Sequence, residues 1–194
     1  MRRALALVSL AALAAACSAP SGAVEVPPER LPFALERTPQ ATPTPPGERL
    51  VTVYLVREDR LVPVTRLVSS EMPGPEASMR ALLLGPSPAE RAEGIGTAIP
   101  LATQLIGVEL IGGVARVDLS AEFQSPAEPR EVLLRVGQVV WTLGADPEVV
   151  SALFAVDGVP ISVPIDDGTT PDRPVSAADL VSIGPAEGPI VTNP

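Results

Sequence analysis

Residues 104–120, QLIGVELIGGVARVDLS, restrict the possible folds more than any other part of the chain. Ile106, Val108 and Leu110 fall on one side, Gly112-Gly113 interrupts, and Ala115, Val117 and Leu119 resume the alternation. A two-residue primed turn needs positive φ at both central positions, which glycine adopts without a Cβ penalty. Period-2 alternation on both sides of such a pair specifies a β-hairpin with one apolar face. That face has to be covered, and the best amphipathic stretch of the chain follows it. Val132, Leu133, Val136, Val139, Val140 and Leu143 recur at helical spacing as one stripe. Glu131 and Arg135 stand four apart on the opposite side, in the Glu-first order that favours pairing. Two starts are compatible with this helix: Ser125 with Glu128 as a capping box, or Pro129 as first helical residue. Gly137 within it costs about 1 kcal/mol relative to alanine, a cost that a close approach to the sheet would explain.

The same reasoning places the other elements. Residues 50–56 (LVTVYLV) and 61–68 read as strands around the polar turn Arg57-Glu58-Asp59-Arg60, with Pro63 favouring an edge position. Pro75 sits near the start of a helix whose Met79, Leu82 and Leu83 share a face, and Gly85-Pro86 stops it. Ser87-Pro88-Ala89-Glu90 has capping-box spacing for a short turn ending at Gly94. Residues 149–156 and 159–165 form a further hairpin around Asp157-Gly158. Beyond Asp166 the Pro/Gly/Asp-rich tail, residues 166–194, reads as loose. Residues 175–183 offer a short final element with Ser176 capping through Asp179. The expectation is one small α/β (α+β) domain over residues 50–165. An antiparallel or mixed sheet made from hairpins is packed by two main helices. Aromatic residues are only 3%, so the core must be aliphatic.

The N-terminal segment speaks to location. Arg2 and Arg3 precede an apolar run from Ala4 to Leu13, and small residues lead into Cys17, the single cysteine. Residues 1–16 have the layout of a secretory signal and are too short to be read as a spanning helix. Cysteine directly after the small-residue site resembles the lipobox of bacterial lipoproteins. There it is diacylated and becomes the mature N-terminus, and two chains give a stable anchor. Ala14 stands where that pattern prefers leucine, and the rival reading is an ordinary signal peptidase site. Residues 17–49 then comprise the lipidated cysteine and a proline-rich disordered tether. In polyproline-like conformation such a tether reaches roughly 90 Å, enough to lift a domain off a membrane. A proline-rich ligand for another domain is the alternative.

Charge and residue types remove whole classes of function. A net charge of −9 argues against nonspecific nucleic-acid binding, which needs a basic face. All 14 basic residues are arginine, and histidine is absent. Ser-His-Asp, Ser-Lys, Cys-His and HExxH arrangements are therefore excluded. With Cys17 committed to the anchor, no CxxC pair or zinc knuckle can form. Only carboxylates remain for acid/base or hard-metal chemistry. Asp118 and Glu122 close the second strand of the central hairpin, where backbone capping explains Asp118 better than catalysis. Asp166-Asp167-Gly168 and Asp172 lack the alternating ligands of a calcium loop and read as a polar turn. Gly112-Gly113 is explained by the hairpin before any anion cradle. Trp141, the only tryptophan, is either a core-edge residue or an anchor for a partner. No catalytic residue, metal or cofactor is expected.

Several segments occur in a recognisable order: Leu82-Leu83-Leu84-Gly85-Pro86, Ala98-Ile99-Pro100, Val117-Asp118-Leu119-Ser120 through Phe123, and Val156-Asp157-Gly158. Together they resemble the GerMN domain, named for the sporulation and germination protein GerM and found also in LpqB-type lipoproteins. The resemblance implies an extracytoplasmic α/β module without established catalysis, similar in fold to ring-building modules of secretion systems. In GerM that module serves assembly of an envelope complex. LpqB-type proteins carry a large further domain, for which the residues after 165 leave too little length. Functions that LpqB-type proteins perform through it do not transfer with the resemblance. The leading functional expectation is a membrane-anchored, non-catalytic interaction or assembly module with an envelope partner or a second copy. A small-ligand-binding lipoprotein is the alternative, and a carboxylate-only glycan hydrolase, needing two carboxyls about 5–9.5 Å apart, comes third.

Overall fold

Tight turns between strands set the architecture. In the computed structural model, residues 47–185 are described; Cys17, the signal-like segment and most of the tether lie outside them. β1 (Glu48–Arg57) and β2 (Arg60–Ser69) pair antiparallel without a break from Glu48↔Ser69 to Arg57↔Arg60. Glu58 and Asp59 between them have φ of 50° and 58°, a primed turn made without glycine. β3 (Leu105–Ile111), β4 (Val114–Leu119), β5 (Ser151–Val156) and β6 (Val159–Ile161) form a second sheet in that order. Gly112-Gly113 and Asp157-Gly158 both take positive φ at their two hairpin turns, as the sequence requires.

The central hairpin departs from simple alternation at one place. Leu105 pairs with Leu119, but Gly107 pairs with Asp118, leaving Ile106 as an extra residue. This bulge turns Ile106 outward, 54% exposed, and puts Leu105 on the apolar side with Val108 and Leu110. The expected inward Ile106 is thus corrected: a one-residue insertion reverses the facing of everything before it.

β4 and β5 are parallel, so the connection between them must cross over, and α3 (Pro129–Leu143) makes that crossover. Pro129 is its first residue and Glu128 its N-cap; Ser125 instead ends the 3-10 turn Ala121–Gln124 and donates its hydroxyl to Glu122 C=O. α3 is enclosed on nearly all sides, with every residue from Leu134 to Val140 buried. The expected Glu131–Arg135 pair is present at 3.8 Å, but the reading of a polar side opposite one apolar stripe is corrected at Arg135. Arg135 is 2% exposed, because α3 lies against the first sheet and α1 on one side and β5 on the other.

α1 (Gly74–Leu83) begins at Pro73–Pro75 and buries Met79 and Leu82, while Leu83 is half-buried. α2 (Pro88–Ala92) has the capping box formed: Ser87 Oγ accepts from Glu90 N–H, and Glu90 accepts from Ser87 N–H at 2.7 Å. Residues 175–183 form the short final element and are packed, whereas residues 166–174 are largely exposed. Val175 exchanges two 2.8 Å hydrogen bonds with Ala152, and the 3-10 segment Ala177–Ile183 buries Leu180 and Ile183 completely. Ser176 N–H and hydroxyl both donate to Asp179 at its start. Ile183 also accounts for Gly137, since a Cβ there would stand 2.2 Å from Ile183 Cδ1 and 3.3 Å from Leu61 Cδ1. The close approach is to the C-terminal segment as well as to the start of β2.

Candidate interaction surface

One edge of the first sheet is closed by α3 and the other is open. Tyr54 N–H donates to Thr142 Oγ1 at 2.9 Å, and Gln138 Nε2 donates to Tyr54 C=O at 3.0 Å. Gln138 Oε1 accepts from Ala98 N–H at 2.7 Å and from the Thr97 hydroxyl at 3.2 Å. Val56 exchanges backbone bonds with Gly96 on the same side. Buried Gln138 and Thr142 thus replace a neighbouring strand, which satisfies groups that burial would otherwise leave unpaired. Arg135 does the same for three carbonyls, donating to Phe123, Ser125 and Ala98 at 2.6, 2.9 and 3.1 Å. Burial lowers its guanidinium pKa, and Glu131 at 3.8 Å opposes that shift.

These contacts fix the hydrogen-bonding phase of the hairpin. Tyr54 and Val56 direct their backbone groups away from β2, so every second pair of the ladder is of the non-hydrogen-bonded kind. The β2 residues of those pairs, Leu61, Pro63, Thr65, Leu67 and Ser69 opposite Val56, Tyr54, Thr52, Leu50 and Glu48, therefore point their backbone polar groups away from β1 at the outer edge of β2. Pro63 has no N–H to offer at that edge, where proline is tolerated. Leu67 and Ser69 face a groove of about 500 Å³. Its walls are Arg66–Ser69 of β2 and Thr103–Leu105 at the start of β3, and Ala77, Arg80, Ala81 and Leu84 of the α1 region also line it.

The groove is mainly apolar with two cations. Arg66 is bound bidentately by Glu90 at 2.6 and 2.7 Å, tying α2 to β2. That contact, with the Ser87 N–H bond, lowers the Glu90 pKa from 4.5 to about 2 against an opposing burial effect. Arg80 pairs with Glu76 at 2.8 Å in a more exposed arrangement. No carboxylate lines the groove. Thr103 Oγ1, buried at the β3 wall, has no hydrogen-bond partner. Leu84 on the lip is 81% exposed, and Leu50 and Leu67, cross-strand partners, leave a further apolar pair on the solvent face beside it.

The other residues singled out from sequence are dispersed. Asp118 Oδ1 accepts from Gly158 N–H at 3.0 Å, locking one hairpin turn onto β4. Glu122 accepts from the Ser120 hydroxyl, which lowers its pKa. Asp166 takes both donors of Ser182, and Asp167 takes both of Thr169. Among the described residues no group of three His, Cys, Asp or Glu could hold a metal ion. Trp141 is half-buried, with its ring 5.5 Å from Tyr54 and its Nε1–H donating to Leu180 C=O at 3.4 Å. Gly184 lies against it so closely that a Cβ there would be 2.7 Å from Trp141 Cζ2. Cys17 lies outside the described residues. The groove has no signature in the sequence because its walls come from three separated segments, each of which looks like an ordinary strand, helix or loop.

A family model described as Germane, sporulation and spore germination, matches residues 51–162. Among solved structures, the tandem GerMN domains of the sporulation protein GerM from Bacillus subtilis align with a TM-score of 0.54 at 20% identity, covering 68% of this chain and 47% of that one. The first GerMN domain of the same protein aligns with a TM-score of 0.50 at 20% identity, covering 68% of this chain and 99% of that one. The chain thus spans about half the length of the tandem structure. At this identity the likeness establishes the fold. No curated protein matches the chain.

Proposed function

Because the chain belongs to the Germane family of sporulation and spore germination, we propose that it is a membrane-anchored extracytoplasmic module that binds a protein partner in a cell-envelope assembly. The observation that carries this reading is the apolar groove along the open edge of β2. A strand edge without a covering strand or helix invites pairing with another chain, and large exposed apolar patches mark interaction surfaces. The reading is non-catalytic: the groove has no carboxylate, and the chain has neither histidine nor lysine. On this reading Cys17 supplies the anchor and the proline-rich stretch up to the start of β1 at Glu48 the tether, two residues shorter than the 17–49 read from sequence. The groove's volume also falls within the range of small-molecule pockets, roughly 300–1,000 Å³, which favours a small apolar ligand as second reading.

The test is in-cell crosslinking of a C-terminally tagged, full-length copy. One envelope protein should be recovered, and the adduct should weaken in a Leu84→Asp variant that still reaches the membrane. A Cys17→Ala variant should move from the membrane to the soluble fraction. Recovery of no specific adduct, with a purified chain that retains a small apolar molecule, would transfer the argument to ligand binding.

A further inference from the structure

We propose that the groove takes an extended peptide from another protein as an added strand on β2, with apolar side chains on the groove floor and a carboxylate against Arg80. This deepens the interaction reading above and rests on it. Three independent features specify the occupant. The first is hydrogen bonding. Leu67 and Ser69 turn N–H and C=O outward at the groove wall, and neither backbone has another partner among the described residues. Strand addition uses such an edge, drawing affinity from main-chain bonds and selectivity from pockets for alternate side chains. Pro63 ends the ladder at its far side, since it has no donor, and so limits the added strand to the stretch beside the groove.

The second feature is shape. Ala77 and Ala81 present methyl groups at the floor, leaving room for the side chains of a visiting strand. The third is charge. The chain carries −9 in total, yet the groove lining holds two arginines and no acid. Arg66 is fully engaged by Glu90, whereas Arg80 is 54% exposed and shares only a surface pair with Glu76, which is weak. Arg80 is therefore the cation available to a carboxylate of the occupant. Thr103, whose buried hydroxyl has no partner, belongs to the β3 wall of the same groove.

The experiment uses the purified chain without its lipid and a random peptide library displayed on phage. Selected peptides should alternate apolar residues and share an acidic position. Their binding should protect the Leu67 and Ser69 amides from hydrogen exchange. Methylating alternate backbone amides of a selected peptide should abolish binding, and Arg80→Glu should weaken it at least tenfold while lowering thermal stability only by the small amount expected for a lost surface pair with Glu76. Ser69→Pro, which removes one edge donor, should weaken it likewise. Four results would overturn the proposal: no enriched peptide; peptides that leave those amides unprotected; undiminished binding after methylation; or protection arising from self-association of the chain. An envelope adduct captured in cells but insensitive to Arg80→Glu and Ser69→Pro would leave the interaction reading standing while removing strand addition.

Discussion

The most consequential single residue in the fold is Gln138, a polar side chain in the middle of the most apolar helix. Completely buried, it serves Tyr54 C=O, Ala98 N–H and the Thr97 hydroxyl. Leucine at this position would keep the volume but leave Tyr54 C=O and Ala98 N–H unpaired in the interior, while the half-buried Thr97 hydroxyl would keep only the Ile99 N–H as partner. Each unsatisfied buried group costs about 1–3 kcal/mol, with partial relaxation. Gln138→Leu should therefore lose about 2–4 kcal/mol in urea unfolding with an unchanged m-value; a loss below about 1 kcal/mol would show that the clamp is dispensable. Glu90 gives a pH-dependent counterpart. Its folded pKa of about 2 lies below its ordinary 4.5, so its contribution is present above pH 4.5 and is lost as pH falls through about 2. The stability difference between the natural chain and Glu90→Gln should shrink steadily as pH falls over that window. A difference that stayed constant from pH 6 to pH 2 would refute the assignment to Arg66 and Ser87.

At the scale of elements, α3 is held between both sheets and the C-terminal 3-10 segment, and Gly137 records how closely they approach. In an exposed helix, Gly137→Ala would gain about 1 kcal/mol. Here the added methyl meets Ile183 Cδ1, a side chain with no exposed surface, so overpacking of about 1–3 kcal/mol should outweigh the gain. Ile183→Val removes the offending carbon. The double variant should be more stable than the sum of the two single losses predicts. Strict additivity in thermal or urea unfolding would mean that the contact is not what excludes alanine. The sequence shows the apolar stripe of this helix plainly. It could not show that Arg135, Gln138 and Thr142 are also buried, because their partners are backbone groups of β1 and the 97–98 and 123–125 loops. Long-range pairing of that kind leaves no periodic trace.

For the whole molecule, the decisive point is that residues 175–183 belong to the packed body. Val175 pairs with Ala152 of β5, Ile183 packs against Gly137, and Leu180 is buried with its C=O at the Trp141 indole. Burying each such side chain is worth about 1.5–3 kcal/mol, so the three together rival the 5–15 kcal/mol that stabilises an entire domain. A chain ended after Ile165 should lose its cooperative thermal transition and become protease-sensitive. An unchanged melting temperature would show that the segment is an ornament. The same placement bears on Trp141: its indole carries an internal contact with Leu180 and Gly184, while the groove lies along β2, α1 and the start of β3.

What the sequence determined by itself was local. Positive-φ turns at Gly112-Gly113 and Asp157-Gly158, the Ser87–Glu90 box, Pro129 as one of two permitted helix starts, and the absence of histidine and lysine chemistry are all consequences of residue type and short spacing. The ordered motifs added the family and its fold. Tertiary structure decided the rest. The bulge at Ile106, the burial of α3 on both sides, the packing of residues 175–183 and the groove beside Leu67 and Ser69 each depend on which distant segments meet. Steric preference is read from neighbours along the chain, whereas an open strand edge exists only once every other strand has found its partner.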